Sequence, residues 1–483
     1  MPARAPAGKP IKTISLATGV FPLKNQEIAL LADADARAAA YLQSVETRRV
    51  FPTPEAIRAL SAFDERMPRE GIDPSQTLAL LDEIGSPATV ASNGPRYYGF
   101  VVGAALPGAA AAERLMLAWD QGATLPMTSP VSAKLEDVAG HWLLDILDLP
   151  RESAVGFGTS ATACGLSCLA AARRVLLNRA GWDIDTMGLS GAPEIRVVVS
   201  DRIHIVVLKA LRILGFGTAQ IVKAPTDADG RVDPLRLPAL DARTILCLQA
   251  GEVNTGEFDP FAAVIPHAKA AGAWVHIDGA FGLWARASPA LRHWTEGVEA
   301  ADSWTTDGHK WLNTPYDCAM AICRDPDALA EAMNSDAVYA TSSKLAQKNL
   351  TLEFSRRPRG IPVWAALRTL GRDGVAALIE RHCAQAQRLA EGLRMAGFEV
   401  LNRVVLNQVL ARGEDDAETA EIRLAVEQSG EAWFGPSAWN GRPAFRLSVS
   451  SWRTEDADIE RLVRQLARLR AERNGSLAPH AAD

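Results

Sequence analysis

The sequence predicts an α/β fold with a mostly parallel central sheet, an N-terminal helical segment and a small C-terminal α+β domain. Between residues 96 and 365, apolar runs of strand length alternate with helical stretches, the pattern of a parallel sheet covered on both faces. Residues 1–95 carry helical periodicity but too little apolar content for a core of their own. From 366 to 483, a long amphipathic helix precedes three strand-like runs and a charged helix.

The chain has 483 residues, 48% apolar and 22% charged, with a formal net charge of -6. That length suggests two or three folding units. The charge argues against nucleic acid as a partner, because a nucleic-acid-binding face needs excess Lys and Arg. The opening MPARAPAGKPIKTISLATGVF has no sustained apolar core, so no signal peptide is expected. LKNQEIALLADADARAAAYLQSV and SQTLALLDEIG read as amphipathic helices joined through a Pro-containing connector at 51–54. A segment of this kind wraps a neighbour, which in a dimer is the other subunit. Residues 97–112, rich in Gly and Ala and broken by Pro107, are too short for a membrane span and read as buried or interfacial.

Strands are predicted at 195–200, 244–250, 274–278 and 318–323, and helices at 161–178, 206–214 and 260–271. Beyond residue 366, AALIERHCAQAQRLAEGLRMAG is a helix ended by Gly397. FEVLNRV, QVLAR and AFRLSVS read as strands, and 456–474 as the last helix. The six cysteines, at 164, 168, 247, 318, 323 and 383, show no CxxC and no Cys/His metal spacing. No metal site is expected, and free buried thiols fit a reducing cytoplasm.

In parallel sheets, ligands sit beyond the carboxyl ends of the strands. Gly158-Thr159-Ser160, Asp278 and Lys310 all lie at or just past such ends. HIDGAFG places a carboxylate at 278, and SWTTDGHKWLN places an amine 32 positions later. An isolated amine and a carboxylate in this arrangement are what pyridoxal phosphate requires: the Lys forms a Schiff base with the aldehyde, and the Asp keeps the pyridine nitrogen protonated. A random Lys is ordinarily on the surface, and an Asp after a strand is ordinarily a helix cap. Gly308-His309 and Trp311-Leu312-Asn313 around Lys310 make a solvated surface a poor account, and the small Gly279, Ala280 and Gly282 suit a flat group near the backbone.

Gly158–Thr162 opens a long helix whose free N–H groups and dipole suit a phosphate. The hydroxyls of Ser160 and Thr162 can add hydrogen bonds there, and His309 can also reach it. His204 can stack on the ring and touch the substrate carboxylate, or serve a purely structural role. In GEVNTGEFDP, Asn254 or Thr255 could hydrogen-bond the ring hydroxyl or the phosphate; ordinary turn chemistry is the alternative. Residues 334–349 are polar and suit a lid. Tyr339 on that stretch could deliver a proton to the carbon that loses its substituent. Trp119, Tyr97, Tyr98 and Phe100 either line an apolar pocket or pack in the core or an interface.

The ordered set PRYYGFVVG, SPVSAKLEDVAGHWL, GTSATACGL, DRIHIVVLKALRILG, QAGEVNTGEFDP, VHIDGAFG, DSWTTDGHKWLN, EFSRRPRGIPVWAALRTLG and GRPAFRLSVSSWRT resembles the group II pyridoxal-phosphate-dependent amino acid decarboxylases. That group includes the aromatic-amino-acid, histidine and glutamate decarboxylases, and the likeness covers about residues 90–465. The resemblance implies a fold of the aspartate aminotransferase type (fold type I) and an obligate homodimer with active sites at the subunit interface. It implies decarboxylation of an L-amino acid, aromatic or apolar, to the amine and CO₂. It assigns Lys310 to the aldehyde, Asp278 to the pyridine nitrogen, Ala280 and His204 to the two ring faces, and Ala161, Thr162 and His309 to the phosphate. Tyr339 matches the lid Tyr, where Tyr rather than Phe favours simple decarboxylation. The alternatives are another reaction on the same scaffold, such as aldehyde synthesis, transamination or carbon–carbon cleavage, and a non-catalytic binding role.

The chain departs from the family at Thr162-Ala163-Cys164 (commonly Ser-Glu-Ala), Asp307-Gly308 (commonly Asn-Pro), Gly94 (commonly His) and Gly251-Glu252-Val253 (commonly Gly-Thr-Thr). Arg446 lies where this fold keeps an Arg, and is read as structural or a secondary contact.

Overall fold

The computed structural model describes residues 23–334 and 343–477. The chain divides into two units, Met1–Val90 and Ala91–Asp483. The first holds helices Leu23–Ser44, Pro54–Ala59 and Pro74–Leu80. The two short ones start by the same device: Thr53 and Asp73 accept from Ala56 N (3.2 Å) and Ser75 N (2.8 Å), each with Pro as the first helical residue. Neither short helix contains a buried residue, as the low apolar content of this segment anticipates.

The second unit is built on a seven-stranded sheet. Its strands are β1 (Ala154–Gly158), β2 (Arg196–Ser200), β3 (Ile221–Ala224), β4 (Thr244–Gln249), β5 (Trp274–Asp278), β6 (Ser303–Asp307) and β7 (Ala319–Cys323). Their order is β1-β7-β6-β5-β4-β2-β3. All pairings are parallel except those of β7, which runs antiparallel to both neighbours. Strands β4 to β7 are buried at every position, the burial that helices on both faces impose.

The sequence reading gives no range for β1, β3 or β6, although it sets Gly158 and Lys310 at or just past strand ends. β3 is short and half-exposed, and β6 reads SWTTD, too polar for the apolar-run criterion. Burial between β5 and β7 makes β6 a strand, with the Trp304 indole N–H donated to Val298 O (2.9 Å).

A second sheet is antiparallel throughout. It contains β8 (Glu399–Val400), β9 (Gln408–Arg412), β10 (Gly435–Trp439) and β11 (Arg442–Ser448), in the order β10-β11-β9-β8. The β10–β11 hairpin turns through Asn440 and Gly441, at φ 50° and 77°, the left-handed pair that a two-residue hairpin loop needs. Helix Gly360–Met395 crosses residue 365, where the sequence reading sets its domain boundary. It breaks at Gly371 (φ 64°) and packs on helices Pro107–Trp119, Pro130–Ile146 and Asp456–Leu477. Among the described residues no helix is long and apolar enough to cross a membrane.

His382 on the long helix fastens the two sheets' regions together. Trp311 Nε1 donates to His382 Nδ1 (3.0 Å), and His382 Nε2 faces Ser451 O (3.0 Å). An indole N–H only donates and a carbonyl only accepts, so the imidazole is neutral with its proton on Nε2. Burial pushes His382 down to about 3, and does the same to His276 on β5. Unfolded, both titrate near 6.5, as ordinary histidines do. The unfolded chain therefore binds protons that the folded chain refuses, and stability is lost as pH falls from about 6.5 towards 3. We expect the unfolding free energy in urea to drop by up to about 1.4 kcal/mol per pH unit for each histidine across that window. His382→Gln should flatten the slope, and an unaltered slope would clear His382 of the effect.

Candidate active site

Five strand ends meet at one cavity of about 260 Å³. β1 leads into Ser160, Ala161 and Thr162; β2 leads into His204; β4 ends at Gln249; β5 ends at Asp278; and β6 ends at Asp307, just before His309 and Lys310. All of these residues line it. The parallel course of these strands delivers their carboxyl ends to one edge.

The turn after β6 is the most constrained part. A Cβ on Gly308 would sit 2.9 Å from Thr314 Oγ1, so a larger residue there would have to displace that hydroxyl. Lys310 Nζ lies 3.0 Å from Asp307 Oδ2, while Asp307 Oδ1 accepts the Ala161 amide (2.7 Å). His309 Nδ1 accepts from Cys318 N (3.1 Å), which leaves the ring proton on Nε2. Burial lowers the His309 pKa despite the nearby Asp307, and Tyr316 stacks on the ring at 4.3 Å. Asn313, itself at φ 57°, donates to Lys310 O (3.0 Å) and Ser450 O (2.9 Å), tying the turn to the strand end after β11.

Asp278 is buried and accepts one hydrogen bond, from Ala280 N (3.2 Å). Burial raises its pKa, with His204 and Lys310 opposing. Burial pushes His204 the other way, against the pull of Asp278, so its imidazole is neutral near pH 7. The His204 backbone N–H is held by Gln249 Oε1 (3.0 Å). On the helix side, Ser160 caps Ala161–Arg179 by accepting from Ala163 N (3.3 Å).

Lys310, Asp278, Ala280, His204, Ser160, Ala161, Thr162 and His309 are thus gathered at one cavity. Asn254 and Thr255 are not, and this corrects the sequence reading. Glu252, buried in the loop, takes the Asn254 N–H (2.8 Å) and the Thr255 N–H and hydroxyl (2.7 and 3.1 Å), while Asn254 Oδ1 accepts from Ser437 (2.6 Å). Gly251 and Val253 line the cavity in their place. Tyr339 lies outside the described residues. Of the aromatic candidates only Phe100 reaches the cavity; Tyr98 is fully buried core and Tyr97 stacks on Trp433 at 5.1 Å.

Gln249, Asp307 and Tyr316 were missed. The first two are strand-terminal, Gln249 within the strand expected at 244–250 and Asp307 at the end of β6, so the strand-end rule could have pointed to both. Arg446 on β11 also lines the cavity. It donates to Val253 O (2.8 Å) and has no carboxylate partner among the described residues.

This donor set fits pyridoxal phosphate. An amine, a buried carboxylate with one weak partner, a helix start and a water-shielded Gln249 Nε2 with no acceptor all need a polar guest of that kind.

Residues 90–412 match the pyridoxal-dependent decarboxylase conserved domain. The chain is 30% identical over 374 residues to tryptophan decarboxylase 1 of Oryza sativa subsp. japonica, covering 68% of this chain and 71% of that protein. It is 28% identical over 384 residues to L-2,4-diaminobutyrate decarboxylase of Rhizobium meliloti (strain 1021), covering 74% of each. The crystal structure of Oryza sativa TDC with PLP and tryptamine shares the fold at a TM-score of 0.84 and 24% identity, over 95% of this chain and 100% of that one.

Asp307→Ala would leave the Ala161 amide and the Lys310 ammonium without their buried partner. A loss of about 3 kcal/mol of unfolding free energy is expected, measured by urea denaturation of the cofactor-free protein.

Proposed function

The chain belongs to the pyridoxal-dependent decarboxylase family, and from that premise we propose that it removes the α-carboxylate of an L-amino acid with an aromatic or otherwise apolar side chain, releasing the amine and CO₂. The observation that carries this reading is the pairing of Lys310 and the buried Asp278 in one cavity beside the start of helix Ala161–Arg179.

Bound there, pyridoxal phosphate supplies an electron sink for the pair left behind as CO₂ departs. Lys310 would hold the cofactor through its amine. Asp278 would hold a proton at the ring nitrogen, and that charge would relieve a carboxylate that burial otherwise disfavours. Neutral His204 and Ala280, both on the lining, would cover the two ring faces. The Thr162 N–H, the Ser160 and Thr162 hydroxyls and the His309 Nε2 proton would hold the phosphate, the Ala161 amide being already bound to Asp307. Arg446, free of any carboxylate among the described residues, draws the substrate's carboxylate inward. Tyr339 protonates the carbon that has lost its carboxylate.

The side-chain class follows from the remaining lining: Phe100, Val101, Val253 and Phe281 are apolar. The lining acids, Asp278 and Asp307, stand among the groups at Lys310 and His204. A cationic side chain, such as that of 2,4-diaminobutyrate, would meet Arg446 with no further carboxylate to offset it.

A homodimer is part of the proposal. Phe100, Leu115, Leu117, Trp119 and Met127 are all exposed, and Phe100 is both 55% exposed and on the cavity lining, as a rim completed by a second subunit would be. Six buried, unpaired cysteines support a reducing, cytoplasmic setting.

Lys310→Ala should abolish CO₂ release while the far-ultraviolet dichroism stays native; retained turnover would remove the central assignment. Tyr339→Phe should divert product from amine to aldehyde, with oxygen consumed and ammonia released. An unchanged amine yield would take Tyr339 out of the reaction. Among supplied amino acids, aromatic ones should release CO₂ fastest and 2,4-diaminobutyrate slowest.

A further inference from the structure

Gln249 ends β4 directly beside Asp278 at the end of β5: the two are register partners in the parallel pair. Residues in register project to the same face of a sheet. Both line the cavity. The Gln249 backbone is fixed on both sides by Asp259, whose Oδ2 accepts its N–H (2.7 Å) and whose own N–H donates to its carbonyl (3.1 Å). The side-chain amide is fixed as well. The His204 N–H can only donate, so the atom 3.0 Å from it is the amide oxygen, and the other end is the NH₂ group. That NH₂ is shielded from water and has no acceptor, on a residue only 2% exposed. A buried donor without an acceptor is costly unless a ligand supplies one.

The order of strands indicates which ligand atom that is. Phosphate donors lie on the β1 and β6 side, at the Ser160 and Thr162 hydroxyls and at His309 Nε2. Asp278 stands on β5, and Gln249 one strand further on. On the pyridine ring the phosphate arm and the hydroxyl flank the aldehyde carbon on opposite edges. With the phosphate towards β6 and the ring nitrogen at Asp278, the hydroxyl edge faces β4. No other side-chain donor of the loop after β4 serves there: Val253 has none, and those of Asn254 and Thr255 are taken by Glu252.

We propose that Gln249 is a cofactor-binding residue, its side-chain NH₂ donating to the ring hydroxyl oxygen of pyridoxal phosphate while its carbonyl oxygen pins the backbone of His204. This rests on the reading of the cavity as a pyridoxal phosphate site. One amide therefore links the ring's oxygen to the residue that covers its face. The role that the sequence reading gave to Asn254 or Thr255 passes to a residue earlier in the chain.

The test is a binding cycle on the cofactor-free protein, with wild type, Gln249→Leu and Gln249→Glu titrated with pyridoxal 5′-phosphate and 3-deoxypyridoxal 5′-phosphate. Quenching of tryptophan fluorescence reports affinity for both ligands. Gln249→Leu also frees the His204 backbone, so it should weaken both ligands, pyridoxal phosphate about tenfold more than the 3-deoxy analogue. Gln249→Glu keeps the oxygen that holds His204 and puts an acceptor where the donor was. It should weaken pyridoxal phosphate by about tenfold or more and spare the analogue. Equal weakening of both ligands, or no weakening of either, in the Glu variant would overturn the proposal, because the hydroxyl would then be unlinked to the amide. Failure of the wild type to bind pyridoxal phosphate would instead sink the proposed function.

Discussion

The Asp307 carboxylate joins parts of the chain that are far apart in sequence. One oxygen takes the first amide of helix Ala161–Arg179, the other stands 3.0 Å from the Lys310 amine, and the backbone carbonyl accepts the Trp284 indole N–H (3.1 Å). A buried carboxylate is tolerated only when such donors surround it. The start of the phosphate-type helix and the reactive amine are therefore held in mutual register by one side chain.

Around that anchor the turn 308–318 is locked from several sides. Asn313 donates into Lys310, Trp311 and Ser450 and accepts from Trp452 N, while Trp311 hangs on His382 of the long helix. These bonds bring the second sheet's border to the mouth of the first. Arg446 on β11 consequently looks into a cavity whose other walls come from β1 to β6. A site supported this way places its amine with little freedom, which pre-organised chemistry requires.

Electrostatics add a second constraint. Burial drives Asp278 and His204 in opposite directions, the acid towards its neutral form and the base away from its charged one. Each partly corrects the other, and a protonated ring between them would stabilise the ionised acid while leaving the imidazole neutral. Cofactor binding and the ionisation of this pair are then one equilibrium, which ties the pH behaviour of the site to its occupancy.

Much of this was legible in the amino-acid sequence. Alternating apolar runs announced a mostly parallel sheet, and the strand-end rule together with the chemistry of an isolated amine and a carboxylate singled out Lys310, Asp278 and the helix start at Ser160–Thr162. Those signals are local: periodicity, capping residues and small residues next to a reactive one. What the tertiary structure decided was the competition for hydrogen bonds. Asn254 and Thr255 are as polar as any binding residue, yet Glu252, two or three positions away, claims them. Gln249 closes a buried strand with nothing in its neighbourhood to mark it, but packing leaves its NH₂ without an acceptor. β6 became a strand only because burial overrode its polar composition, and with it came Asp307. Which polar group is satisfied and which is left facing a ligand depends on the folded geometry of its neighbours, near or far in the chain, so composition and spacing could name the chemistry while only the folded chain could allot its partners.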